Sequence, residues 1–270
     1  MPVVSAFLVP GSPLPYVKSE NPPWAPIASG YRAAARALSA SRPDTILLYS
    51  TQWMAVLDQL WQTRPALAGT HVDENWYEYG DLDYSVRIDT ELAHDCVAGA
   101  KAIGISSKAV DYDQFPIDTG TIVANGFLNP GGRIPLTLAA NNLYHSFDDT
   151  MRLAEMAVQK ADKLNRRIAV VGVGGLSGSI FRQEIDIRND GIASPSDDSW
   201  NRRMLGLIER GAGADIVEEC AAYAKQARAE MGFKHFGWVF GALGRHFAGA
   251  RIHAYGATYG AGAAVIEFKI

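Results

Sequence analysis

The sequence predicts an α/β protein, a layered α-β-α sandwich built as one domain over residues 1–270 around a central, mostly parallel or mixed sheet. Three observations predict it. Short, apolar, β-branched runs occur at residues 3–9, 45–50 and 167–173, as expected of strands covered on both faces. Between such runs lie segments with helical spacing, and that alternation favours strand–helix–strand units. The 270 residues are 48% apolar and 20% charged, close to the globular average, and no repeat, low-complexity tract or long linker divides them.

Taken in order, the elements follow from local chemistry. Residues 3–9 are valine-rich and free of proline, and they end in a loop crowded with Pro10, Pro13, Pro15, Pro22, Pro23 and Pro26, so a buried strand is predicted there. A helix over 28–40 and a strand over 45–50 come next. Strands over 84–88 and 134–139 and a helix over 91–102 follow. Over 148–164, Met151, Ala154, Ala157, Val158, Ala161 and Leu164 repeat at helical spacing. Asp148 and Asp149 at its start and Lys163 and Arg166 at its end suit the helix macrodipole. Residues 167–173 give the clearest central strand. Asp197 and Asp198 are read as caps of a helix reaching about Arg210, and 215–230 as a second, amphipathic helix. Strands over 251–255 and 263–268, joined by a turn at Gly256, Gly260 and Gly262, close the chain.

Composition excludes several function classes. With 25 Lys+Arg against 29 Asp+Glu, the net charge is −4, and no basic run marks a nucleic-acid partner. Cys96 and Cys220 are the two cysteines, so a disulfide framework or a Cys-based metal site is not expected. No apolar run approaches the roughly 20 residues needed to span a bilayer, and the apolar N-terminus lacks a basic flank and meets Pro10 at once. A soluble, cytoplasmic protein without a membrane partner is the expectation.

In parallel sheets, ligands bind outside the carboxyl ends of the strands, which singles out residues 11–13, 51–53 and 174–178. Gly172, Gly174 and Gly178 after a strand invite a phosphate-cradling, nucleotide-binding reading. The acidic residue that such a fingerprint wants about 20 residues further on is missing, because 188–199 reads as a polar loop. Ser177 stands in Gly-Leu-Ser-Gly, not in a nucleophile elbow. The six histidines, His71, His94, His145, His235, His246 and His253, form no short-spaced metal pair.

A set of ordered segments says more. Residues 6–13 read Ala-Phe-Leu-Val-Pro-Gly-Ser-Pro, 50–53 read Ser-Thr-Gln-Trp, 118–121 read Asp-Thr-Gly-Thr, and 172–178 read Gly-Val-Gly-Gly-Leu-Ser-Gly. With Trp200-Asn201-Arg202-Arg203 and His253-Ala254-Tyr255-Gly256, they resemble the class III extradiol ring-cleavage dioxygenases, which open catechol-like rings with non-haem Fe(II). In the first four of these segments the family carries a histidine where this chain has another residue. The resemblance implies that the two metal-binding histidines correspond to Gly11 and Gln52, a third histidine to Thr119, and the acid/base histidine to Gly178. The carboxylate ligand should fall near Gly232 to Lys234, ahead of Trp238, where Glu230 is the nearest acid.

Those replacements bear on the chemistry. A 2-His-1-carboxylate face holds Fe(II) through two imidazole nitrogens and one anionic oxygen, and glycine supplies no donor at all. An acid/base group must titrate within hydrogen-bond reach, which Gly178 cannot do, and Lys234 facing the site would oppose a dication. Within the family, the likeness is to the alpha chain of two-subunit, aminophenol-cleaving members. It implies no catalytic or metal-binding residue here, Fe(II) in a homologous catalytic beta subunit, and an alpha2beta2 heterotetramer. The vestigial pocket would then comprise Gly11, Gln52, Thr119 and Gly178, with His235, His253 and Trp53 as possible lining. Three alternatives stay open: a ring-cleaving enzyme with displaced ligands, using His235 or His253 with Glu230; a nucleotide-binding oxidoreductase at 172–178; and a pocket that holds a small aromatic molecule without chemistry, lined by Trp53, Tyr16 and Trp238.

Overall fold

The computed structural model describes residues 2–270. In chain order its elements are β1 (Val3–Val9), α1 (Leu14–Val17), α2 (Ala25–Ser41), β2 (Thr45–Ala55), β3 (Gln59–Gln62), β4 (Ala66–His71), β5 (Leu82–Arg87), α3 (Thr90–Ala102), β6 (Ser107–Val110), α4 (Thr119–Leu128), β7 (Leu136–Asn142), α5 (Phe147–Lys163), β8 (Ile168–Val173), α6 (Pro195–Glu209), α7 (Gly213–Gln226), α8 (Lys234–Ala242), β9 (Gly249–Thr258) and β10 (Ala261–Lys269). Eight strands form one mixed sheet in the order β6-β3-β7-β2-β8-β1-β10-β9, and β4 pairs with β5 apart from it. The central four, β7-β2-β8-β1, run parallel. Every residue of β7 and β8 is buried, as a sheet covered on both faces requires.

Two apolar layers provide that cover. One packs Ile27, Tyr31 and Leu38 of α2 and Ile122 and Val123 of α4 against β1, β2 and β8. The other brings Trp61, Met151, Phe236 and Trp238 together on the opposite face. Cys96 and Cys220 are both buried and unpaired, and burial pushes their thiols well above the ordinary range. Among the described residues, no helix is long and apolar enough to cross a membrane.

The predicted elements are present, with instructive differences. Ser146, ahead of Asp148, caps α5 through a capping box with Asp149. Ser194, not Asp197 or Asp198, caps α6, and the two acids sit in its first turn. Helix α7 stops at Gln226, four residues short of Glu230. The final hairpin turns at Tyr259 and Gly260, both with positive φ, while Gly256 and Gly262 lie inside the strands. Helices α4 and α8 escape periodicity because almost every residue in them is buried, so neither has a polar face to set against an apolar one.

Helices α5 and α8 pack so closely that a Cβ at Gly241 would lie 2.4 Å from the Met151 carbonyl oxygen. Gly206, inside α6, meets nothing nearer than an Arg210 nitrogen at 3.7 Å. Gly241→Ala should therefore cost about 2 kcal/mol by forcing the helices apart, and Gly206→Ala should gain roughly 0.5–1 kcal/mol from helix propensity. Urea denaturation of the two variants checks the contrast.

Candidate functional site

At the carboxyl ends of the parallel strands lies a cavity of about 750 Å³, where strand topology predicts a ligand site. Pro10 to Pro13 after β1, Thr51 to Met54 of β2, Ile117 to Thr119 at the start of α4, Gly175 after β8, and Glu230 and Met231 line it. His71 at the end of β4 and Asp73 and Trp76 of the loop that follows it line the cavity as well.

Each segment is fixed by its own bonds. Asp118 caps α4 by accepting from the Thr121 amide at 2.9 Å, and it also accepts from Ser50 Oγ at 2.5 Å. Burial raises the Asp118 carboxyl above the usual range against these bonds, which pull it down. Thr119 Oγ1 donates to Asp73 Oδ2 at 2.8 Å and lies 2.8 Å from His71 Nε2. Asp73 in turn accepts from the Asn75 and Trp76 amides, so α4 and the β4 loop are tied through one hydroxyl. Trp76 packs against Tyr259, and Asp190 clamps Trp24 Nε1 and the amides of Tyr259 and Gly260.

Glu230 reaches the cavity from an unusual stretch of backbone. Between α7 and α8, Arg228, Met231, Gly232 and Phe233 all have positive φ, a conformation that non-glycine residues adopt at a cost. This chain reversal turns Glu230 back toward β8. There Oε1 accepts from Thr51 Oγ1 and Oε2 accepts from the Gly175 amide at 2.8 Å. Burial raises its carboxyl above the ordinary range, opposed by those two bonds.

The residues singled out from sequence divide into two groups. Gly11, Gln52, Thr119 and Trp53 line the cavity together. Gly178 does not: its amide donates to the Ala227 carbonyl at 3.0 Å, and a Cβ there would lie 2.5 Å from the Arg228 carbonyl oxygen. His253 is also outside the lining, with Nε2 2.7 Å from Glu267 Oε2 on the adjacent strand. His235 is fully buried behind Gly174, where neither ring nitrogen has a hydrogen-bond partner, and burial lowers its pKa to about 3. Lys234 does not face the site; its ammonium donates to the Asn142 and Leu143 carbonyls. Tyr16 packs on Phe127 and Trp238 stacks on Tyr49 in the core, so Trp53 is the one member of that trio on the cavity wall. Sequence reasoning missed His71, Asp73 and Trp76, which sit in a polar stretch without a motif.

A mixed sheet whose strand ends enclose such a crevice fits the aromatic ring-opening dioxygenases. Residues 8–267 match the family described as the catalytic LigB subunit of aromatic ring-opening dioxygenase, and the chain belongs to that family. It is 48% identical to the 2-aminophenol 1,6-dioxygenase alpha subunit of a Pseudomonas species, covering 100% of both chains. The beta subunit of that name from Pseudomonas is 25% identical over 99% of this chain and 94% of its own. An uncharacterized protein of Escherichia coli K12 shares the fold, with a TM-score of 0.68, 13% identity and coverage of 98% and 99%.

Dioxygenases of this family typically depend on Fe(II), but the side chains in the crevice do not fit it. Gly11 has no donor, and a Cβ there would lie 2.7 Å from Gln52 Nε2. The Gln52 amide offers only a neutral, weak donor, and both Glu230 oxygens already accept protein hydrogen bonds. Among the described residues, no three His, Cys, Asp or Glu side chains are grouped so as to hold a metal ion.

Two consequences are measurable. Thr119→Val severs the link from α4 to His71 and Asp73, so the Asn75 and Trp76 amides should exchange hydrogen roughly three- to tenfold faster. His235 stays neutral in the folded chain down to about pH 3, whereas in the unfolded chain it takes up a proton near pH 6.5. Below pH 6.5 the unfolded state therefore binds more protons, and stability falls as pH drops toward 3. In His235→Leu the slope of stability against pH between 6.5 and 4 should be shallower, as read by urea unfolding at several pH values.

Proposed function

We propose that this chain is the non-catalytic alpha subunit of a 2-aminophenol 1,6-dioxygenase, assembled with a homologous beta subunit that carries the Fe(II). The observation that carries the reading is the donor set of the crevice. Glycine stands at 11, a carboxamide at 52 and a hydroxyl at 119, while the loop at 178 is folded against Arg228. Full-length likeness to a chain named as an alpha subunit, and weaker likeness to one named as a beta subunit, supports the pairing.

The surface supports association as well. Met54, Val56, Leu57, Leu143 and Tyr144 are exposed, Leu57 by 85% and Tyr144 by 80%. They flank the paired ends of β2 and β7, where the Leu143 amide bonds the Ala55 carbonyl. Grouped exposed apolar side chains commonly mark a protein interface. An alpha2beta2 assembly in the cytoplasm completes the reading.

Its test separates the two chains. The purified chain alone should carry far less than one equivalent of iron by elemental analysis and show no turnover of 2-aminophenol. Co-expression with the beta subunit should give an active complex with iron only at the beta-chain site. Stoichiometric iron or ring cleavage in the isolated chain would overturn the proposal.

A further inference from the structure

The electrostatics of the cavity are one-sided. Among the described residues, Asp73, Glu74, Asp118 and Glu230 line it, together with His71, and no Lys or Arg does. Among the described residues, none of these four carboxylates has an ion-pair partner; Asp73, Asp118 and Glu230 are held instead by hydroxyls and backbone amides. Hydrogen bonds from neutral donors favour the ionised form of Asp118 and Glu230 against the burial that opposes it, they do not cancel the charge, and in a partly enclosed space that charge is weakly screened. Arg228 and Lys234, which flank Glu230 in the chain, are committed elsewhere, to Ser179 Oγ and to the Asn142 and Leu143 carbonyls.

The remaining wall is aromatic and apolar. Trp53, Trp76 and Phe115 line the same space, and indole faces attract cations in addition to burying apolar surface. The volume of about 750 Å³ suits a small molecule. Unpaired negative charge, aromatic faces and the absence of any lining cation select one ligand chemistry and reject its opposite. We infer that the cavity binds a small organic ammonium cation with an aromatic body and excludes aromatic carboxylates.

This inference stands apart from the subunit reading, because a chain that serves only by association can have the cavity filled or empty. The test uses the full chain in EDTA-containing buffer with three probes of one size: benzylammonium, benzyl alcohol and benzoate. Saturation-transfer NMR and calorimetry should show benzylammonium binding about tenfold more tightly than benzyl alcohol, a preference that shrinks at high salt, and no saturable binding of benzoate. Glu230→Gln and the rim variant Glu74→Gln should each weaken benzylammonium roughly three- to tenfold while leaving benzyl alcohol within about twofold. Glu74 is exposed, so its variant reports on charge even where Glu230→Gln disturbs the fold. Equal binding of the three probes, tighter binding of benzoate, or binding of none would overturn the inference.

Discussion

The close approach of α8 to β8 sets the geometry on which the rest of the crevice depends. A Cβ at Gly172 would lie 2.3 Å from the His235 carbonyl oxygen, and one at Gly174 would lie 2.7 Å from His235 Nδ1. Only residues without a side chain let the two backbones come this near. Because α8 begins directly on the sheet, the chain arriving from α7 has little length in which to reverse. It does so through four residues with positive φ, and that reversal delivers Glu230 to Thr51 and Gly175. The buried, unpartnered His235 is part of the same arrangement: it holds its place by packing against Phe233 and the glycine strand, at the expense of two unsatisfied nitrogens.

Much of this fold was legible in the sequence because the parallel core writes its own signal. Strands β1 and β8 and the first half of β2 are largely apolar runs, and α5 has a strong apolar stripe with matching charges at its ends. The elements that were not legible share a physical reason. In α8, Lys234 to Ala242, all residues but the first are buried, and a helix buried all round has no period to detect. Helix α4 contains two threonines, two glycines and adjacent β-branched residues, so propensity argues against it, and the Asp118 cap and burial between α2 and β2 override that. Strands β3 and β6 are four residues each, too short for alternation to speak.

The candidate site was legible in outline and not in detail. Ordered motifs brought Gly11, Gln52 and Thr119 to one crevice, because those segments lie toward the carboxyl ends of the two parallel strands that flank β8 or open the helix beside them. The same reasoning placed Gly178 and His253 there wrongly. Gly178 lies five residues past the strand end, where the chain has already turned to pair with Ala227, and His253 sits mid-strand on the sheet edge, bonded to Glu267. Glu230 was assigned to a helix end, yet its role in the cavity comes from leaving the helix early. The wall formed by His71, Asp73 and Trp76 arises from tertiary pairing with Thr119, 46 residues or more away along the chain, and no local pattern encodes such a contact.

A crevice of this kind does not depend on the donors that a metal would need. Its shape is held by the Asp118 cap on α4, by the Asp190 clamp on the final hairpin turn, and by Asn201. The fully buried Asn201 amide bonds the Ser177 amide and hydroxyl together with Tyr223 and Tyr255. None of these interactions involves position 11, 52 or 178. The residues at 11 and 52 can therefore vary in donor chemistry without loosening the cavity, since a side chain that faces the crevice can be removed without leaving a buried polar group unpartnered. Position 178 is less permissive. Placing a side chain there requires moving the Arg228 carbonyl, and with it the strained reversal that positions Glu230. Backbone thus bars a side chain at 178, whereas positions 11, 52 and 119 line the cavity and answer to different constraints.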